Sequence, residues 1–131
     1  MKFLDTGVLL EFFSGDEEEI DRIDRMFREL ERQKEKLFIP EEVIIELAYF
    51  LEYVQGWERE VVADVLRTVL MDSLFSVEDR DTVQSALSIY LSGRLSFLDS
   101  LKIAKARKRG IEEAISSNRR LKKAGLKLLR P

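Results

Sequence analysis

Asp5 closes the first apolar segment of the chain, MKFLDTGVLL, and Thr6-Gly7 interrupts the run before apolar residues resume at Val8. Glu46 lies in PEEVIIELAYFL. At roughly 100° per residue it falls between Phe50 and Tyr53, with Val43 just beyond: a carboxylate inside an aromatic and aliphatic arc. Asp99 sits in RLSFLDSLKIAKA, three residues after Ser96. The chain contains no Cys and no His. That removes thiolate sites, Cys nucleophiles, Ser-His-Asp hydrolysis and His-ligated metals together. Chemistry in this chain must rest on carboxylates, lysines, hydroxyls or a hard cation bound by oxygen.

Each acid also has a structural use. Asp5 can N-cap a helix starting at Thr6. Glu46 can be a salt-bridged boundary residue, although a lone buried carboxylate is costly and is usually paired or bound to a cation. Ser96 and Asp99 have the spacing of a capping box, in which Glu reaches back more easily than Asp. Glu41 and Glu52 lie together on another face of their helix, where solvent is expected.

The elements that must position these residues follow from periodicity. Residues 2–5 read as a short buried strand, 6–13 as a helix ended by Ser14-Gly15, and 16–36 as a helix with a stripe at Ile20, Ile23, Phe27 and Leu30. Strand 37–39 is stopped by Pro40, which pre-sets a helix over 41–55. Helices over 57–71, 79–91 and 96–109 follow, with Gly110 as a C-cap and short strands at 74–77, 113–117 and 125–129. Strands alternating with helices in 131 residues predict one domain over 1–131. Its class is an α/β/α sandwich around a mainly parallel sheet of four to five strands. In such sheets the site lies at the carboxyl ends of the strands, where Asp5 and Ser116–Asn118 fall.

Taken in order, FLDTGVLLEFF, PEEVIIELAYFL, LSFLDSLKIAKARKRG and AISSNRRLKKAGLKLL resemble the PIN-domain ribonuclease family, whose single-domain members include the VapC toxins. The resemblance covers nearly the whole chain. It implies a Mg²⁺- or Mn²⁺-dependent endoribonuclease with Asp5, Glu46 and Asp99 as its acids. Asp5 and Asp99 then hold the metal, Glu46 completes the shell or orients the attacking water, and Thr6 and Ser96 support them. Asn118 is a neutral auxiliary able to offer an oxygen. The chain departs from the family pattern at Gly7, which stands where Asn is common, and at Asn118 and Arg120, which stand where a fourth acid is often found. With a site charge near −3, one metal is expected at rest. The resemblance also implies an RNA substrate, an antitoxin partner and a homodimer. Tyr49, Tyr53 and Trp57 are candidates for contacts with partners and, equally, for the core.

Residues 102–131 hold eleven cations against Glu112 and Glu113, a net +9, whereas the first 101 residues carry a net −12. Arg119, Arg120, Lys122 and Lys123 follow Asn118 and are candidates for RNA phosphate contacts. No aromatic residues interleave them, so base stacking is not evident there. No apolar run approaches the length of about 18 that a membrane span needs, and the chain reads as cytoplasmic. A second reading is a PIN fold that binds RNA or a partner with weak or no cleavage, to which Gly7 and Asn118 point. A phosphoacceptor receiver domain is disfavoured, because it normally wants paired acids after strand one and only Asp5 stands there.

Overall fold

The computed structural model describes residues 1–131, which divide into two compact units, Met1–Glu78 and Asp79–Pro131. In the first unit three strands, β1 (Lys2–Phe3), β2 (Leu37–Ile39) and β3 (Phe75–Val77), form a parallel sheet in the order β1-β2-β3. Parallel neighbours need long crossovers. Helices α1 (Thr6–Ser14) and α2 (Glu17–Arg32) supply the first. The second consists of α3 (Glu41–Tyr49), a π-helical turn (Phe50–Val54) and α4 (Arg59–Met71). The central strand carries the core, with Leu37 and Ile39 buried, while Lys2 and Phe3 of β1 are exposed. The expected buried first strand is therefore an edge strand. Burial begins one residue past it at Leu4, whose N–H still donates to the Phe38 carbonyl at 2.9 Å.

Local sequence explains the helix ends. Asp16 and Glu19 exchange both hydrogen bonds of a capping box at the start of α2. The stripe on α2 buries Ile23 and Phe27, and Phe27 meets Phe12 and Phe75 edge-on with ring centroids 5.1 and 5.5 Å apart. The helix expected over 41–55 is α-helical only to Tyr49. Beyond it the winding loosens, with the Gln55 N–H donating to the Phe50 carbonyl, and Gly56 at φ +73° turns the chain away.

The second unit comprises α5 (Arg80–Ser92), α6 (Phe97–Lys108), β4 (Glu113–Ile115), α7 (Arg120–Lys123) and β5 (Lys127–Leu129). Helices α5 and α6 pack as a pair, with Tyr90 fully buried against Phe97 at a centroid distance of 6.0 Å. Gly110, at φ +73°, follows the last turn of α6 as its C-cap position requires. Strands β4 and β5 pair in parallel with each other. The chain is thus a mixed α/β protein whose strands are all parallel, the class its sequence implies. The strands are hydrogen-bonded as a group of three and a group of two, not as one continuous sheet. The alternation of strand and helix fixes parallel pairing but not which strand finds which neighbour. The short helix α7 has no counterpart in the sequence reading, because its four residues RLKK carry no apolar periodicity.

The free end of β1 is held electrostatically. The Met1 ammonium lies 2.7 Å from Glu35 Oε1 and Lys2 Nζ lies 3.4 Å from Oε2. Hydrogen bonds from that ammonium, then from the Lys36 backbone, lower the Glu35 carboxyl from the ordinary 4.5 to about 2. The sign follows from linkage: the folded value lies below the unfolded one. The contribution is therefore present above the unfolded value and is lost as pH falls through about 2. A ¹³C carboxyl titration by NMR should place the Glu35 midpoint near about 2, and N-terminal acetylation should move it back towards 4.5.

Candidate active site

Asp5 follows the edge strand and is the N-cap of α1, with backbone φ −90° and ψ 160°. Its Oδ1 accepts the Thr6 N–H at 2.8 Å. Thr6 is only 6% exposed, and its hydroxyl donates to Glu46 Oε1 at 2.8 Å, across 40 residues of sequence. One buried threonine therefore holds two carboxylates, the first through its backbone and the second through its side chain. Both acids are themselves exposed, and each keeps a second oxygen for other partners. Gly7, the next residue, has no atom within 4 Å of where a Cβ would stand and no positive φ. Glycine is not sterically required there. The slot that a side chain could fill is open.

Glu46 is not buried. The aromatic arc that appears to enclose it on a helical wheel is itself on the surface, with Tyr49 54%, Phe50 37% and Tyr53 54% exposed. The buried arc of this segment is centred on Ile44, Leu47 and Leu51. The opposite face corrects in the other direction. The Glu52 side chain is only 14% exposed and pairs with Arg59 at 3.2 Å, and Glu41 is half-buried. Tyr49, Phe50 and Tyr53 are thus surface aromatics, not core. Trp57 is half-buried.

In the second unit Asp99 occupies the first turn of α6. Ser96 caps that turn, its Oγ accepting the Asp99 N–H at 3.1 Å. Unlike Asp16 and Glu19, this pair makes only one arm of the capping box. The Asp99 carboxylate turns elsewhere, meeting Lys102 Nζ at 3.4 Å and Asn118 Nδ2 at 3.5 Å. Asn118 is fixed by its own turn: its N–H donates to Ser116 Oγ at 2.9 Å and its Oδ1 accepts the Arg120 N–H at 3.0 Å. The expected oxygen donor thus presents its amide NH₂ to Asp99 and commits its oxygen to the backbone. Arg119, Arg120, Lys122 and Lys123 are exposed around α7. Arg94 has no motif to mark it, yet its carbonyl accepts from Arg120 Nη1 at 3.4 Å.

The expected residues fall into two groups: Asp5, Thr6 and Glu46 in the first unit, and Ser96, Asp99 and Asn118 in the second. Neither unit by itself gathers three acids able to share an ion. The donor chemistry nevertheless suits one kind of cation. All candidate donors are oxygens, and Asp5 and Glu46 are exposed residues with one oxygen each held by Thr6, a chemistry that fits a hard, partly hydrated divalent ion.

The PIN domain model matches residues 2–127, running through both units, and the chain belongs to the PIN domain family. It is 50% identical to a VapC ribonuclease from Aquifex aeolicus (strain VF5) over 131 residues, covering the whole of this chain and 97% of that protein. No solved structure matches the chain at a significant level.

If Thr6 orients Glu46, the two side chains must be energetically coupled. A double-mutant cycle of Thr6→Val and Glu46→Gln, read by urea unfolding, should return a coupling of about 1 kcal/mol. Additive losses would remove Thr6 as the positioning group.

Proposed function

We propose that this chain is a metal-dependent endoribonuclease of the VapC type, acting as one PIN domain over 1–131 and serving as the toxin of a toxin–antitoxin pair. The reading is carried by the full-length match to a VapC ribonuclease. The threonine-held pair of acids in the first unit and the half-buried carboxylate of Asp99 in the second, which Lys102 and Asn118 orient, support it. Asp5 and Asp99 are the residues to hold Mg²⁺ or Mn²⁺, with Glu46 completing the set. A divalent ion bound there supplies an activated water at neutral pH and charge stabilisation for the leaving oxygen. Thr6 keeps Glu46 directed and so fixes where a water proton can be accepted. Asn118 steadies Asp99 by donating a hydrogen bond and adds no charge, which favours a single ion at rest. Arg119, Arg120, Lys122 and Lys123 neutralise backbone phosphates. The partners are RNA, an antitoxin and a second copy of the chain, and the setting is the cytoplasm. No helix is long and apolar enough to cross a membrane.

The second reading, a PIN fold that binds RNA or a partner with weak or no cleavage, is favoured by two observations. The space beside Gly7 is empty, and the Asn118 oxygen is committed to its turn. Cleavage of a defined RNA panel decides between them. Asp5→Asn and Asp99→Asn should each lower the Mg²⁺- or Mn²⁺-supported rate by at least about 100-fold, more than the loss of a supporting hydrogen bond, and EDTA should abolish it. Cleavage that is unchanged by both substitutions overturns the assignment of the acids, and no cleavage in any metal favours the binding protein.

A further inference from the structure

The second unit carries thirteen cations against five acids. Its most distinctive hollow, of about 560 Å³, is lined by Arg94, Arg119, Arg120 and Lys123 over a floor that includes the buried Leu95 and Ile89. No carboxylate lines it. Four cations around one concavity repel one another, and the arrangement is relieved by an anion. Arg94 is brought there by the turn between α5 and α6, and Arg120 is tied to it through the Arg94 carbonyl. Arg119 also lines a second hollow with Lys122, Lys127 and Arg130, again without a carboxylate. Arg119 is therefore common to both concavities.

From this we infer that Arg94 and Lys123, with Arg119 and Arg120 between them, form a track for successive phosphates of an RNA strand. The substrate class rests on the ribonuclease reading above. Two basic hollows that share Arg119 suit a chain of phosphates better than a single anion. The track also adjoins the candidate chemistry within the same unit. The Arg120 N–H binds the Asn118 oxygen, whose amide donates to Asp99. Arg94 and Lys123 are accordingly positioning residues: they hold the strand and take no part in breaking it.

The test is binding of a fluorescent RNA oligonucleotide to the full chain in EDTA, followed by anisotropy across a salt series. This readout does not depend on cleavage, so failure of the track and failure of the nuclease reading are distinguishable. Arg94→Gln and Lys123→Gln should each weaken binding several-fold and reduce the slope of log K against log salt by about 0.7, as loss of one single-strand phosphate contact does. Arg28→Gln, which removes an exposed cation paired with Asp24 on α2, should leave both unchanged. Equal losses in all three variants would mark diffuse attraction and overturn the track, and so would wild-type binding by Arg94→Gln. A nucleoside monophosphate that binds as tightly as the oligonucleotide overturns it too, because one anion would then satisfy the site. If Asp5 and Asp99 serve a nuclease, Arg94→Gln should raise KM for RNA while leaving kcat within about twofold.

Discussion

The hydroxyl of Thr6 ties the start of α1 to the middle of α3, and the placing of the first unit's two candidate acids turns on that bond. A buried hydroxyl without a partner is costly, so Thr6 fixes a geometry in which Glu46 must stay within reach. The same residue offers its N–H to Asp5 at the helix start. Two like charges are thereby held near one another at the surface, where water screens them, while the groups that orient them are buried. A carboxylate pair so held is poor at stabilising the fold. In the nuclease proposed above it would serve a cation.

Charge is divided along the chain in a way that composition alone conceals. A net charge of −3 covers a first unit with twenty acids against nine cations and a second with the opposite excess. An acidic body suits a hard cation, and a basic surface suits a polyanion. In the second unit seven of the thirteen basic residues, around α7, β5 and the turn before α6, line hollows that contain no acid. The carboxylate nearby, Asp99, pairs with Lys102 and takes the amide of Asn118, whose oxygen accepts from the Arg120 backbone. An Asp at that position would place a second negative charge against Asp99.

Much of the secondary structure was legible in the chain, for local reasons. Asp16 and Glu19, Pro40, Ser96 and Gly110 mark helix ends through hydrogen bonds or backbone preferences that act over a few residues. The failures have physical causes as well. The edge position of β1 depends on which strand takes the centre of the sheet. The π turn at Phe50 depends on how α3 must bend before Gly56. Tyr49 and Tyr53 are exposed against the usual burial of aromatics, so the arc around Glu46 lies on the surface.

The residue types of the candidate site were set by the sequence itself. With no Cys and no His, oxygen chemistry at Asp5, Glu46 and Asp99 was the available course, and the order of the four motifs tied it to a family. Which groups face each other was decided only in three dimensions. Nothing in local sequence says that Thr6 reaches Glu46, that the NH₂ of Asn118 and not its oxygen meets Asp99, or that Arg94 joins Arg120 beside a hollow. Helix caps and strand ends are written in neighbouring residues. Contacts across tens of residues depend instead on how packed elements settle against one another.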